Sequence, residues 1–258
     1  MRMEQRLAFC GIAVMAKASA LGRVKTRLVP PLSFAQAAEL NTVFLRDTAD
    51  NIVTAASKAS IKGYMAFGPR GSNAFFRDII PPSIGLFEAW LPNFGDCLFT
   101  AMEMLFDLGH SAAVVLNSDS PTLPTALLST AAEILAQPGD RAVLGPSNDG
   151  GYYLLGIKQK HRRLFENIDW STDRVTHQTL ISAGELELPV HRLPTWFDVD
   201  DVAGLQMVCD GDGPGLRGAA GLKPYPAPHT KALLKSMHII GDLGQSVQTA
   251  ATISAGSM

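Results

Sequence analysis

The sequence predicts an α/β fold: a single, mostly parallel sheet flanked by helices. Three observations carry this. Apolar runs of strand length alternate with longer segments of helical periodicity. Runs such as Ala112–Leu116 are apolar at successive positions, which marks strands covered on both faces. The chain, at 258 residues, is long enough to bury a large core. Its three cysteines, Cys10, Cys97 and Cys209, form no CxxC pair, so neither a disulfide framework nor a thiolate zinc site is implied.

Leu7–Met15 is a continuous apolar run, expected to be the first buried strand. Basic Met1–Arg6 followed by apolar Leu7–Ala16 also has the outline of a secretory signal. Glu4 in the basic part and Cys10 and Gly11 in the short apolar part favour the strand, and with it a cytoplasmic protein. Ser33 opens a helix, with Gln36 at capping-box spacing, that runs on Ala37, Leu40, Val43, Phe44 and Ile52 to about Ser57. Ile61–Phe67 reads as strand, Ser72–Ile80 as short helix, Leu86–Leu91 as strand, and Phe94–Leu108 as a helix whose Phe99, Met102, Met104, Leu105 and Phe106 are core rather than a cofactor box.

Ala112–Leu116 is the next strand and Thr125–Ala136 the next helix. Arg141–Leu144 and Tyr152–Ile157 are strands joined by the Gly-rich turn Gly145–Gly151. Val175–Ala183 follows as helix, Pro189–Leu193 as strand and Val202–Cys209 as short helix. Leu7–Met15, Ala112–Leu116 and Arg141–Leu144 are expected to be adjacent core strands. Residues 1–209 form the α/β domain and 210–258 a C-terminal appendage. The appendage has a linker-like start at Gly211–Gly215, a helix Thr230–Ile240 and a small, polar tail, Gln245–Met258. It is expected to pack on the domain or on a second subunit through Leu233, Leu234 and Met237.

With 22 Lys and Arg against 24 Asp and Glu the net charge is −2, so no general field grips nucleic acid or an anionic membrane. No apolar stretch approaches the roughly 18–20 residues of a membrane span. A phosphate site must therefore be local. The loop Lys17–Leu28 is the first candidate: Lys17, Arg23, Lys25 and Arg27 follow the first strand at the carboxyl edge of the sheet, where ligands of parallel sheets bind. It is neither a P-loop nor a GxGxxG fingerprint, and by itself it reads first as a solvated basic loop.

Asp119, at the end of a strongly apolar strand and turned by Pro121, could hold a divalent ion or cap the next helix. Asn148-Asp149-Gly150-Gly151 is first a hairpin signal, and its glycines also allow close backbone approach to a ligand whose hydroxyls Asp149 could bind. Asp198 and Asp200 alternate, so in an extended chain they face opposite sides. Asp201 is the natural cap of the following helix. Trp170-Ser171-Thr172 is a loop and cap, with an aromatic wall of an acceptor pocket as its functional reading. There is no GxSxG or HExxH, and the six histidines lack ligand spacing.

In this order the motifs Lys25-Thr26-Arg27-Leu28, Ser118-Asp119-Ser120-Pro121, Asp149-Gly150-Gly151-Tyr152, Trp170-Ser171-Thr172 and Asp198-Val199-Asp200-Asp201 resemble a bacterial family. That family has the nucleotide-diphospho-sugar transferase (glycosyltransferase-A, Rossmann-like) fold and is similar to phospholactate and molybdenum-cofactor guanylyltransferases. The resemblance spans about Ala8–Leu205. It implies phosphate binding by Lys17, Lys25 and Arg27, a base pocket near Asn93, Gly95 and Asp96, and sugar or acceptor contacts at Asp149, Gly150, Gly151 and Trp170. It implies Mg²⁺ or Mn²⁺ on Asp119 and Asp200, with Asp198 beside them, and a catalytic set of Lys25, Arg27 and Asp119.

The function so implied is a metal-dependent transferase using a nucleotide sugar or nucleoside triphosphate and a small-molecule acceptor, first of all a glycosyltransferase. Nucleotidyl transfer with release of pyrophosphate is the alternative, and a non-catalytic nucleotide-binding protein is the rival from another class. A homodimer is an assembly the sequence allows. Asp119 and Asp200 are expected to converge at one carboxyl edge and to repel each other when nothing is bound, so that replacing one by Asn leaves stability unchanged or slightly raised.

Overall fold

The computed structural model describes residues 10–210 and 221–237. The first residues of the expected opening strand, the linker Gly211–Gly215, the end of the helix expected to reach Ile240 and the tail Gln245–Met258 lie outside the described residues. The elements are β1 (Cys10–Lys17), α1 (Phe34–Ala56), β2 (Ile61–Gly68), α2 (Asn73–Ile79), β3 (Gly85–Glu88), α3 (Phe94–Asp107) and β4 (Ala112–Leu116). They continue with α4 (Thr125–Ala136), β5 (Ala142–Pro146), β6 (Tyr152–Ile157), α5 (Val175–Glu185), β7 (Val190–Arg192), α6 (Val202–Asp210) and α7 (Pro228–Ser236). Two short 3-10 turns, Thr26–Leu28 and Arg162–Phe165, were not expected from periodicity.

The seven strands form one sheet in the order β3-β2-β1-β4-β6-β5-β7. All neighbours are parallel except β6, which runs antiparallel to both β4 and β5. This corrects the expected adjacency of the third strand: β4 lies beside β1, but β6 separates it from β5. The short connection Ser147–Gly151, turning through Gly150 at φ +90°, sends the chain straight back, and β6 takes the place beside β4. Because nearly all of β6 is buried, either neighbour satisfies it.

Successive side chains of the central strand point to opposite layers. Ile12 and Val14 join the core under α1 and α4, while Ala13 and Met15 join the core under α3. The start of α1 is a capping box: the Gln36 amide donates to Ser33 Oγ (3.2 Å) and the Ser33 amide donates to Gln36 Oε1 (2.8 Å).

Helix α7 packs on α1, with Leu234 fully buried and Met237 against the same core. Its amino end is capped from the other helix. Asp47 of α1 accepts from the His229 amide (3.1 Å), the Thr230 amide (2.7 Å) and the Thr230 hydroxyl (2.6 Å). No sequence-local signal announces that cap, because its acceptor lies about 180 residues upstream.

Candidate active site

Four segments meet at the carboxyl edge of β1 and β4. The loop after β1 is pinned by α1: Asn41 Nδ2 donates to the Lys17 carbonyl (3.0 Å) and to Ser19 Oγ (2.9 Å). The loop then turns at Lys25, which adopts a left-handed conformation (φ 49°, ψ 36°) unusual for a residue with a side chain. After β4, the segment Asn117–Ser120 carries Asp119, whose carbonyl accepts from the Val199 amide (2.8 Å). That bond ties the β4 loop to the segment Asp198–Asp201, where Asp201 caps α6 by accepting from the Gly204 amide (2.8 Å).

The central feature is one buried ammonium between two carboxylates. Lys25 Nζ lies 2.6 Å from Asp119 Oδ1 and 3.0 Å from Asp200 Oδ1, and it donates to the Val199 carbonyl at 2.8 Å. The lysine side chain is 5% exposed, against 33% and 42% for the two acids. Burial works to lower the Lys25 pKa, but the charges of Asp119 and Asp200 and its bonds to both outweigh it, so the group is held above its ordinary value. The expected convergence of Asp119 and Asp200 is therefore observed. The expected bare repulsion between them is corrected, since Lys25 neutralises the pair.

Asp198 turns inward and takes no part in that bridge. Its Oδ1 accepts from Ser120 Oγ (2.7 Å), Asn117 Nδ2 (2.9 Å) and Ser147 Oγ (3.1 Å). Burial pushes its carboxyl up to about 6; the Ser120 bond opposes this, and the charges of Asp119, Asp149 and Asp200 add to it.

Around these groups opens a cleft of about 720 Å³. Lys17, Arg27, Asp149, Gly151 and Trp170 border it together with the three acids. Lys17 Nζ donates to the Arg23 carbonyl (2.8 Å) and lies 5.8 Å from the Trp90 ring centroid, and Arg27 is exposed. Asp149 accepts from the Gly151 amide (2.9 Å), while Gly150 serves the turn, where a Cβ would come within 2.2 Å of the Asp173 carbonyl.

The group Asn93, Gly95 and Asp96 is not brought to the cleft. Asn93 caps α3, Asp96 pairs with Arg162 (2.8 Å), and both border a separate small pocket. Gly95 packs under Trp170, where a Cβ would be 2.9 Å from the indole nitrogen. Sequence reasoning missed Trp90 and assigned no site role to Phe94; both are about half exposed and line the cleft. The available signal for Trp90 was an aromatic just past the carboxyl end of a strand.

Asp119 and Asp200 reach one point with one oxygen each. A hard divalent ion that takes one or two protein carboxylates and completes its shell with water and phosphate oxygens fits that donor set. Among the described residues no cluster of three or more His, Cys, Asp or Glu could hold a metal by itself.

A crystal structure of a protein from Desulfovibrio desulfuricans, described as a nucleotide-diphospho-sugar transferase, superposes with a TM-score of 0.75 at 25% identity, covering 90% of this chain and 96% of that one. The chain has the nucleotide-diphospho-sugar transferase-like fold. Residues 51–172 also match the family model described as "Uncharacterized protein conserved in bacteria (DUF2064)". The CMP:2-keto-3-deoxy-manno-octonic acid synthetase complexed with CTP shares the fold at 10% identity and a TM-score of 0.50, covering 78% of this chain and 96% of that one. No curated protein matches the chain. No helix among the described residues is long and apolar enough to cross a membrane.

Proposed function

We propose that this protein is a divalent-metal-dependent transferase that takes a nucleotide sugar as donor and a small molecule as acceptor. The observation that carries the reading is the convergence of Asp119, Asp200 and Lys25 in the cleft at the carboxyl edge. There Asp119 and Asp200 would hold Mg²⁺ or Mn²⁺, which supplies Lewis-acid stabilisation of phosphate charge. Lys25 and Arg27 neutralise the same phosphates from the loop side, and Lys17 extends that positive wall. Asp149, Gly151 and Trp170 lie across the cleft and orient the sugar or acceptor by hydrogen bonds and ring contact. Glycosyl transfer forms the bond from an acceptor oxygen to the anomeric carbon, breaks that carbon's bond to the phosphate oxygen, and releases a nucleoside diphosphate. The likeness to the Desulfovibrio protein supports this choice.

A second reading rests on the Lys25-Thr26-Arg27 loop, whose two cations suit a triphosphate. There an acceptor oxygen attacks the α-phosphorus and pyrophosphate leaves. Labelled nucleoside triphosphates and nucleotide sugars incubated with Mn²⁺ separate the two. Release of nucleoside diphosphate from a nucleotide sugar is the expected result, and pyrophosphate release establishes nucleotidyl transfer. Binding of nucleotide without turnover and without metal dependence would leave only a binding protein.

A further inference from the structure

We infer that Lys25 is a built-in counter-cation that closes the Asp119–Asp200 pair to divalent ions until the phosphate of an arriving nucleotide draws its ammonium away. The inference rests on the metal reading of these two acids and assigns an order to their ligands: nucleotide phosphate first, or together with its ion, and never the bare ion.

The geometry carries this in three ways. First, Lys25 Nζ already has three oxygen neighbours, Asp119 Oδ1, Asp200 Oδ1 and the Val199 carbonyl, at 2.6, 3.0 and 2.8 Å. Both acids direct to the ammonium an oxygen they would offer to a metal. A divalent ion entering there meets a positive charge at close range, in a place where burial weakens screening. Second, the ammonium is held from all sides. Its backbone stands in the left-handed region and the Phe44 ring centroid lies 5.2 Å from Nζ, so the lysine is poised there by the fold rather than sampling the site from solvent.

Third, a replacement partner is at hand. The same lysine lines the cleft beside Arg23 and Arg27, where a phosphate would lie. Moving Nζ from two carboxylates to a phosphate keeps the lysine paired, and it frees both carboxylates as the ion arrives. A bare ion offers Lys25 no such exchange and would leave it unpaired and buried, which is costly. Metal affinity and phosphate affinity are then coupled, each raising the other.

The test follows the spectroscopic signal of free Mn²⁺ during titration of the full chain without any nucleotide. Lys25→Gln removes the ammonium and keeps a polar side chain. Lys25→Met is the second variant, whose unbranched stem keeps the packing on Phe44, and circular dichroism checks that each folds. Both variants are expected to bind Mn²⁺ at least about tenfold more tightly than the wild type. Adding Asp119→Asn to either variant is expected to abolish the gain. Wild type binding bare Mn²⁺ as tightly as the variants overturns the inference and leaves the metal reading standing. No Mn²⁺ binding by the variants, nor by wild type with tripolyphosphate present, overturns both together.

Discussion

Lys25 matters to stability as well as to ligands. A single ammonium, 5% exposed, satisfies two carboxylates, so its removal leaves two acids facing each other with no counter-charge. Lys25→Met is expected to cost about 2 kcal/mol in urea unfolding, below the range for a fully buried pair because both acids are partly in water. Asp119→Asn and Asp200→Asn should each cost about 1 kcal/mol, since Lys25 keeps one partner in either case. Asp198 sets a pH dependence of opposite sense to ordinary salt-bridged acids. Its folded pKa, about 6, lies above the ordinary carboxylate value, so the folded state holds its proton more tightly. The stability this contributes is complete below the unfolded pKa and is lost as pH rises through about 6. Wild type compared with Asp198→Asn at pH 4.5 and 7 should show the variant gaining relative stability on the order of 2 kcal/mol at the higher pH. Equal differences at both pH values would contradict the buried, raised carboxyl.

At the scale of elements, the strands were legible because fully covered strands write themselves as unbroken apolar runs: Ala112–Leu116 and Tyr152–Ile157 are strands over the expected residues. Pairing was less legible. Nothing in Tyr152–Ile157 says whether it lies at an edge or between β4 and β5, because both of its faces are apolar. The carboxyl-edge meeting of Asp119 and Lys25 was readable from strand ends and parallel topology. The ammonium seated between the acids was not, because it depends on a left-handed turn at a lysine that no residue preference signals. Likewise Asn93-Phe94-Gly95-Asp96 carries a cap, a ring, a close approach and an ion pair in four residues, and only Phe94 faces the cleft. The hairpin gives the element-scale prediction. Gly150→Ala must accept φ +90° and a Cβ 2.2 Å from the Asp173 carbonyl, so it is expected to cost about 2 kcal/mol or more and to lower the melting midpoint. An unchanged midpoint would mean that the turn is built differently.

At the scale of the molecule, residues late in the chain complete the core that carries the site. Leu234 is fully buried, Asp47 caps α7 across a long sequence separation, and the Tyr225 amide donates to the Thr122 carbonyl (3.0 Å), in the segment that follows Asp119. The amphipathic spacing of Leu233 and Leu234 announced a packing face, but the partner helix could not be read from it. Leu234→Ala is expected to lower unfolding stability by about 2–4 kcal/mol, as for other large-to-small core changes; a loss under 0.5 kcal/mol would show that α7 is not held as described. In the proposed function Asp119 and Asp200 act together on one ion at a nucleotide's phosphates. Calorimetric titration of each of the four nucleoside triphosphates and of nucleotide sugars with Mn²⁺ into wild type, Asp119→Asn and Asp200→Asn tests this most directly. The tightest ligand of the wild type is predicted to lose at least about tenfold in affinity in both variants; unchanged affinity in both would contradict the account.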